Sequence, residues 1–485
     1  MAEDFETVIG LECHVELSTR TKMFCGCLNE FGAPPNTNVC PVCLGHPGSL
    51  PVPNEKAIEY IVRVGVALDC TIAPRSLFHR KNYFYPDMPK NFQISQYDLP
   101  ICVGGHLDLE VDAATRRIGI TRVHMEEDTG KTTHAGTTGR IAQAEYALVD
   151  YNRAGIPLVE VVSEPDIRSP EEARVFLTEL RAILQALGVS DVRMEEGSFR
   201  CDTNISTRRA GDEEFGVKVE IKNLNSIRSV ERALRFEEER QRAALQRGEP
   251  LIQETRHFDE EKGSTHTLRS KEEAFDYRYF PEPDLPPLEP APEWVERIRE
   301  SLPELPAARR ARYERDFGLR PAQALLVGAS KSSADFFEEA VRLGASPTAA
   351  ANWLTQDVAG LLNKAKIELE DSVLTPQHVA DIVRLVDEGT LSTTGAKQAL
   401  EEAFDSGEPI ARIVEARGLR QVTDTAALET WVEEAIAENP DVVAQFRAGK
   451  QGVVGFLVGQ VMKKSGGSAN PKVVSELLRS RLSEP

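Results

Sequence analysis

The segment "GLECHVELSTRTKMFCGC", Gly10 to Cys27, decides the fold of the first part of this 485-residue chain. From the residue before it, apolar and polar side chains alternate. The apolar positions are Ile9, Leu11, Cys13, Val15 and Leu17, and the polar positions are Glu12, His14 and Glu16. Strict alternation predicts a half-buried strand. One face of that strand therefore carries two carboxylates and an imidazole, and paired cysteines follow directly.

The cysteines form a C-x-C unit, Cys25 and Cys27, and a C-P-x-C unit, Cys40 and Cys43, with a loop rich in Pro and Asn between them. Two close pairs can supply the four thiolates of a tetrahedral structural Zn²⁺ site. In a reducing compartment, clustered cysteines are more often metal ligands than disulfides. A closed four-thiolate site has no open position, so we expect Zn²⁺ to pin the loop and not to catalyse. The alternative is a group of buried or reactive thiols.

Three later segments also gather charged side chains in strand-like runs. They are "TRVHMEEDTGKTTH" with His124, Glu126, Glu127 and Asp128, "SFRCDTNIS" with Arg200, Asp202 and Asn204, and "GVKVEIKN" with Lys218, Glu220 and Lys222. Carboxylates brought together in a cleft repel each other unless a cation neutralises them. Carboxylates with at most one histidine suit a hard cation, which predicts a Mg²⁺ site on a shared sheet face. The alternative is a set of separate, solvated sheet faces.

Composition and charge limit the class of protein. Hydrophobic content of 41% and charged content of 28% are usual for a soluble globular protein, and the length predicts about three domains. The Met1 end lacks a basic start with an apolar run, and no stretch approaches a membrane helix, so we expect a cytoplasmic protein without a membrane segment. A net charge of −20 disfavours general nucleic-acid coating, so a specific nucleic-acid partner would need local basic patches.

The chain changes character near residue 290. Before it, one helix is well delimited, with Ser169 as cap, Pro170 in the first turn, Glu172 completing a capping box and Gly188 at its end. Helices mixed with short strands predict an α+β fold. "FPEPDLPPLEPAPEW", Phe280 to Trp294, is rich in Pro and predicts a semi-rigid linker. Beyond it the pattern is helical, and the last part is locally more basic.

A Mg²⁺ site suggests a phosphate-bearing ligand, yet the chain has no P-loop, no kinase Gly-rich loop and no G-x-S-x-G elbow. Carboxylates, the metal and scattered basic residues would have to hold a nucleotide. The candidates are Lys81, Arg153, Arg200, Lys222 and Arg269. The segment Phe78 to Ile101 mixes aromatic rings with Lys, Arg, Asn and Gln. It could bind the bases and phosphates of a single strand, or it could be a loop with core aromatics.

At nine segments spread from end to end, the chain closely resembles the B-type subunit of the aspartyl/glutamyl-tRNA amidotransferases. They are "VIGLECHVELSTRTKMFCGC", "NVCPVCLGHPGSLPVPN", "RKNYFYPDMPKNFQISQYDLPI", "HMEEDTGKTTH", "VDYNRAGIPLVEVVSEPDIRSPEEA", "MEEGSFRCDTNIS", "EIKNLNSIRSVERAL", "DYRYFPEPDLPP" and "GKQGVVGFLVGQVMKKSGGSANPK". The resemblance implies a complex with an amidase subunit, which releases ammonia from glutamine, and a small third subunit. It implies that the B-type subunit binds tRNA-Gln carrying Glu, or tRNA-Asn carrying Asp. This subunit would activate the side-chain carboxylate with ATP and amidate it with ammonia that reaches it through a channel.

The resemblance also implies an architecture. It gives a catalytic cradle over residues 1–292, with a glutamine-synthetase-like sheet and an inserted zinc-binding loop. A helical domain follows over 293–407 and a helical tRNA-binding tail over 408–485. The implied catalytic residues are Glu12, His14, Glu127, Asp202 and Glu220, with His14, Glu127 and Glu220 as Mg²⁺ ligands. In a perfectly regular strand, Glu127 would lie on the other face from His124. A bulge or a strand end is therefore needed for Glu127 to reach the metal; otherwise Glu126 or Asp128 takes its role.

Two other classes of function fit parts of the sequence. One is a catalytically silent tRNA-binding scaffold whose acidic cluster holds a structural ion. The other is a stand-alone ATP-dependent ligase that acts on a small amino acid. Under the family resemblance, Glu-tRNA(Gln), Asp-tRNA(Asn) or both would be the natural substrate.

Overall fold

A computed structural model describes residues 5–112, 114–135, 144–270, 276–421, 425–447, 450–465 and 469–483. The chain divides into two compact units, Met1–Pro306 and Ala307–Pro485. The first contains every strand in the described ranges, and the second is helical there. The predicted α+β class is therefore confirmed, whereas the division at residues 292 and 407 stays a prediction.

The first unit is built from fifteen strands and four helices within its described residues. The strands are β1 Phe5–Glu16, β2 Thr71–Ile72, β3 His79–Asn82, β4 Phe92–Ser95, β5 Cys102–Val103, β6 His106–Val111, β7 Ala114–Glu127, β8 Lys131–Ala135, β9 Tyr146–Asp150, β10 Pro157–Ser163, β11 Phe199–Arg209, β12 Val219–Lys222, β13 Glu254–Asp259, β14 Ser264–Ser270 and β15 Phe280–Pro281. The helices are α1 Glu55–Ala67, α2 Pro170–Leu187, α3 Ile227–Gln246 and α4 Pro292–Glu300.

A ten-stranded sheet organises this unit, in the order β14-β13-β12-β11-β1-β10-β7-β5-β2, with β6 also paired to β7. The pairs are antiparallel except β12 with β13, which are parallel. Strand β1 lies centrally and follows the predicted alternation. Its residues Ile9, Leu11, Cys13 and Val15, and Leu17 directly after it, are all at most 1% exposed and join the main core. Residues of α1, α2 and α3 belong to the same core, so the other face of the sheet is left for polar side chains.

Helix α2 matches its predicted ends. The Ser169 hydroxyl accepts a hydrogen bond from the Glu172 amide at 3.1 Å, Pro170 begins the helix, and Gly188 ends it with φ of +66°. The capping box differs in one detail. The Glu172 carboxylate accepts from the Arg168 amide, one residue before the cap, at 2.7 Å. Local capping chemistry was thus sufficient to place this helix.

The predicted linker at Phe280 to Trp294 is wrong. Phe280 pairs with Arg80 in a small sheet, β15-β3-β4, and Leu285 belongs to the main core. The side chain of Glu282 is fully buried, where the Arg80 guanidinium donates to both of its oxygens at 2.6 and 2.8 Å. Prolines at a sheet edge remove donors without preventing packing, so the segment folds onto the first unit.

The second unit contains two hydrophobic cores. The helices are α5 Pro306–Phe317, α6 Pro321–Val327, α7 Lys331–Arg342, α8 Pro347–Asn352, α9 Ala359–Ala365, α10 Pro376–Asp387, α11 Thr393–Ser406, α12 Ile410–Arg417, α13 Thr425–Glu438, α14 Pro440–Arg447, α15 Val454–Lys464 and α16 Pro471–Ser483. One core spans residues 313–414 and the other residues 428–482. Throughout the described part of the chain, no helix is long and apolar enough to cross a membrane.

Candidate active site

The polar face of the large sheet brings four strands together in one row. Arg200 on β11 lies opposite His14 on β1, His14 lies opposite Glu160 on β10, and Glu160 lies opposite His124 on β7. Directly opposed residues of antiparallel strands project to the same side. The register therefore collects imidazole, carboxylate and guanidinium groups that are up to 186 residues apart in sequence, from His14 to Arg200.

Ion pairs hold this row together. The Glu160 Oε2 atom lies 3.2 Å from His124 Nε2 and 3.5 Å from His14 Nε2. The His124 Nε2 atom also lies 3.5 Å from Glu126 Oε1, which accepts a hydrogen bond from Ser95 Oγ at 2.8 Å. Burial lowers the pKa of His124, but the neighbouring carboxylates, Glu160 foremost, outweigh burial and raise it to about 9.

Three of these side chains form a candidate cation site. His14, Glu126 and Glu160 each offer one ligand atom, and these atoms lie within 4.8 Å of one another. A set of two carboxylates and one histidine suits a hard divalent cation such as Mg²⁺. The two carboxylates are at most 9% exposed, so a cation held here would neutralise buried negative charge.

Glu127 is not brought to this cluster. The pairing of β7 with β10 is regular from Glu127 to Arg122, so no bulge turns Glu127 toward His14. The Glu127 carboxylate instead binds the Lys90 ammonium and accepts a hydrogen bond from the Ile94 amide at 2.9 Å. Glu126, the alternative that strand alternation favoured, occupies the position beside His14 and Glu160.

Sequence reasoning did not single out Glu160 as a site residue. Glu160 is the one charged residue of β10, whose sequence is "PLVEVVS". An isolated carboxylate in an otherwise apolar central strand is costly to bury unless it is paired. That feature was a usable signal, because the two histidines that pair with it had already been identified as candidates.

The remaining predicted acidic residues line the other half of the same face. Asp202 lies opposite Glu12, which accepts a hydrogen bond from Asn204 Nδ2 at 2.9 Å. The Lys222 ammonium lies 2.5 Å from Asp202 Oδ2 and 3.2 Å from Glu220 Oε1. Burial lowers the pKa of Lys222, but the Asp202 carboxylate outweighs it and raises the pKa above its usual value. Glu12, Asp202 and Glu220 therefore share the face with His14 but are not among the three grouped ligand atoms.

A cavity of about 330 Å³ opens over the centre of this face. Its walls combine charged, polar and aromatic side chains: His14, Lys81, Tyr83, Gln93, Glu126, Asp128, Thr129, Leu158, Arg200, Asp202, Lys222 and Tyr277. Lys81 Nζ lies 5.0 Å from the centre of the Tyr277 ring. Three predicted phosphate-binding residues, Lys81, Arg200 and Lys222, therefore line the same cavity as His14 and Glu126 of the candidate cation site.

The other two basic residues that were predicted to bind phosphate are Arg153 and Arg269. Arg153 donates to the carbonyls of Thr129 and Gly130, each at 3.0 Å, and lies 3.7 Å from Asp128. It thus supports the loop that follows β7 and is not among the lining residues of the cavity. Arg269 lies on β14, opposite Thr255, and its side chain falls outside the described part of the structure.

Asp128, which lines the cavity, forms a carboxylate pair with Glu16. The Asp128 carboxylate is 2.8 Å from Arg200 Nη2. Burial raises the pKa of Asp128, but Arg200 and Arg153 outweigh burial and hold it at about 2. For Glu16, burial and the nearby Asp128 carboxylate raise the pKa to about 8. Burial and Asp128 therefore favour the protonated form of Glu16, whereas the two guanidinium groups favour the ionised form of Asp128.

The predicted zinc-type cysteines converge. The Sγ atoms of Cys25, Cys27, Cys40 and Cys43 lie within 4.8 Å of one another. The Cys40 amide donates to Cys43 Sγ at 3.1 Å, a backbone contact that favours a thiolate. Four sulfur donors in one cluster fit a tetrahedral structural metal, so the group could hold Zn²⁺.

An α+β fold whose central sheet presents carboxylates, an imidazole and basic side chains at one cavity is typical of an enzyme. Two family profiles match this chain. The profile described as the GatB/GatE catalytic domain covers residues 7–296, and the one described as the GatB domain covers residues 335–482.

Several curated relatives match over nearly their whole length, and each is named as the B-type subunit of aspartyl/glutamyl-tRNA(Asn/Gln) amidotransferase. The protein from Carboxydothermus hydrogenoformans is 51% identical over 481 residues, which is 99% of both chains. The proteins from Moorella thermoacetica and Brevibacillus brevis are 52% and 50% identical, over 99% of this chain and 100% and 99% of theirs. The chain therefore belongs to this family of B-type amidotransferase subunits, and the resemblance inferred from its sequence is confirmed.

Proposed function

We propose that the chain binds misacylated Glu-tRNA(Gln), Asp-tRNA(Asn) or both, and converts them to Gln-tRNA(Gln) and Asn-tRNA(Asn). The γ-phosphoryl group of ATP passes to the side-chain carboxylate of the esterified amino acid. Ammonia, which reaches the site through a channel from the amidase subunit, then displaces phosphate to form the amide. The observation that carries this proposal is the cavity that His14 and Glu126, two members of the candidate cation site, line together with the basic side chains of Lys81, Arg200 and Lys222.

The residues of the cavity support such a transfer by position and charge. Phosphoryl transfer to a carboxylate needs alignment and charge neutralisation more than it needs a protein nucleophile. Lys81, Arg200 and Lys222 would bind phosphate oxygens. His14, Glu126 and Glu160 would hold Mg²⁺, which when bound neutralises phosphate charge. Glu12, Asp202 and Glu220 would complete the acidic half of the face, where Lys222 is already paired.

Exposed aromatic rings in the same unit support binding of a single-stranded RNA end. Phe84, Tyr85 and Tyr97 are 74%, 50% and 52% exposed, and Tyr97 stacks on Tyr279 with ring centres 4.4 Å apart. Exposed rings beside Lys and Arg side chains can stack unpaired bases, as at the 3′ end of a tRNA. We assign the helical residues 293–407 and the tail 408–485 to the tRNA body.

The remaining parts of the proposal follow from family membership. The chain would assemble with an amidase subunit and a small third subunit in the cytoplasm. Zn²⁺ at Cys25, Cys27, Cys40 and Cys43 would fasten the loop beside the cradle and take no part in the chemistry.

The proposal is tested by phosphate release from ATP in the reconstituted three-subunit complex. We expect release to be slow alone or with uncharged tRNA-Gln, and to rise strongly with Glu-tRNA(Gln) or Asp-tRNA(Asn). Glutamine should then convert the ester-linked Glu or Asp to its amide. Binding of charged tRNA without stimulated hydrolysis would favour the scaffold and contradict the proposal. Full activity on a free amino acid without the amidase would favour the stand-alone ligase.

A further inference from the structure

Lys22 is the most deeply buried basic side chain of the first unit's described residues. It is 0% exposed, although a lysine is rarely buried without an anionic partner. Its ammonium donates to the Tyr151 carbonyl at 3.2 Å and lies 3.8 Å from Cys43 Sγ. Among the residues that the structure describes, no carboxylate forms an ion pair with it. The sulfur of Cys43 is the ionisable group that this ammonium contacts.

The position of Lys22 is fixed by backbone contacts to both neighbouring segments. Its amide donates to the Cys27 carbonyl at 3.0 Å, and the next amide, that of Met23, donates to the Gly155 carbonyl at 2.8 Å. Gly155 has φ of +88°, and a Cβ there would lie 3.5 Å from both Lys22 Cδ and Cys43 Cβ. That Cβ would also lie 3.7 Å from Glu127 Oε2, whose carboxylate binds the Lys90 ammonium. The lysine is thus packed between the cysteine loop and the turn that ends at Gly155.

We propose that Lys22 is a positioning residue that balances the charge of the four-cysteine metal centre and ties it to the turn formed by residues 151–155. This inference rests on the metal centre proposed above. Four thiolates around a divalent ion carry a net charge of −2, and a buried ammonium beside one sulfur stabilises that charge. The same ammonium fixes the Tyr151 carbonyl, so the metal centre and the turn share one contact.

The turn leads directly to the candidate active site. The Gly155 amide donates to the Asp128 carbonyl at 2.9 Å, and Arg153 donates to the Thr129 and Gly130 carbonyls. Asp128 and Thr129 line the cavity. Loss of the metal would release Cys43 Sγ from its fixed position beside Lys22 and loosen the turn that supports this wall of the cavity. Lys22 thereby connects the cysteine loop to the turn that supports the wall of the candidate active site.

The test compares Co²⁺ binding by the full-length wild-type chain and Lys22→Met. Affinity is measured by competition with a chelator, and the thiolate-to-cobalt absorption band reports the ligand set. We expect Lys22→Met to bind Co²⁺ about 10- to 100-fold more weakly with the same band, the usual loss when an outer-shell partner of a metal ligand is removed. Lys56→Met is the matched control, because Lys56 is exposed and its ion pair is with Glu59 on the same helix. It should bind like the wild type.

A second measurement uses the native chain, so it stands even if Lys22→Met fails to fold. Acetylation of lysines is mapped by mass spectrometry before and after the metal is stripped. Lys22 should be protected in the loaded chain and become reactive after stripping, while exposed Lys56 reacts equally in both.

Three results would overturn the inference. Unchanged Co²⁺ affinity in a folded Lys22→Met chain would contradict the role of Lys22 but not the metal centre. Protection of Lys22 from acetylation that persists after the metal is stripped would also contradict the role of Lys22. A wild-type chain that binds no Co²⁺ or Zn²⁺ would contradict both the metal centre and the role of Lys22. The proposed reaction on tRNA would be unaffected, because the phosphate-release assay tests it separately.

Discussion

Glu126 and Glu127 are adjacent on β7, and they allow a test of which carboxylate serves the reaction. Glu126 lines the cavity with His14 and lies in the same group of ligand atoms as Glu160, whereas Glu127 faces the other way, toward Lys90. Replacement by Gln preserves the shape of each side chain and removes one negative charge. We therefore expect Glu126→Gln to impair phosphoryl transfer and Glu127→Gln to impair stability.

The expected sizes follow from burial and distance. The ligand atoms of the candidate cation site lie within 4.8 Å of one another. Two unit charges about 4 Å apart contribute about 4 kcal/mol at an effective dielectric constant of about 20, and about 1.36 kcal/mol is tenfold in rate. Since Glu160 remains, we expect Glu126→Gln to slow the reaction by about 10²- to 10³-fold.

Glu127→Gln breaks an ion pair whose side chains are 2% and 7% exposed. Removing one partner of a buried pair costs about 3 kcal/mol or more, because the other charge stays buried. The Gln amide oxygen can still accept from the Ile94 amide, so the local backbone has a partner. The rate of phosphate release should stay within about threefold of the wild type, which corresponds to under about 1 kcal/mol.

Two assays separate these effects. The first is ATP-dependent phosphate release by the reconstituted complex with the charged tRNA proposed above, at saturating Mg²⁺. The second is native-state hydrogen exchange of the β7 amides, which reports the free energy of opening. A Glu126→Gln enzyme with a near-normal rate would refute the assignment from strand alternation. So would a Glu127→Gln enzyme that is stable but loses phosphate release.

Three further predictions concern stability and metal binding. Arg80→Met should lower the free energy of unfolding by about 3 kcal/mol, because it leaves the buried Glu282 carboxylate unpaired. The β3 amides should then exchange hydrogen faster, and an unchanged exchange rate would contradict this prediction. Cys25→Ser should abolish the Zn²⁺ that elemental mass spectrometry is expected to find in the wild type, and retention of the ion would exclude the four-cysteine site. Arg208 lowers the pKa of Glu6 below 4.5, so the stabilisation is fully present above pH 4.5 and is lost as pH falls through the native pKa. Glu6→Gln should therefore flatten the decline of Tm with acid, and an unchanged acid limb would count against this pairing.

Several elements could be predicted because their determinants are local. Strand β1 was evident from its alternation, and α2 from Ser169, Pro170 and Gly188 within one continuous segment. The four cysteines were grouped by spacing alone, and the structure brings them together. In each case the decisive residues lie within about twenty positions of one another, where periodicity and capping chemistry act directly.

Other features required the pairing of distant segments. The Pro-rich segment looked like a linker, because its prolines exclude regular structure, but the buried pair of Arg80 with Glu282 attaches it to the first unit. The fold also places the predicted phosphate-binding residues in different positions. Lys81 faces the cavity, while Arg153 supports a loop beside it.

Periodicity, spacing and motifs were enough to establish the α+β class, the polar face of β1, the cysteine cluster and membership of the family. The tertiary structure decided which residues of different strands meet on that face. It selected Glu126 and Glu160 as neighbours of His14, and it turned Glu127 toward Lys90. The reason is that a strand's own pattern fixes only which side each residue faces. The register between strands, set by hydrogen bonds across the sheet, fixes which residue it faces.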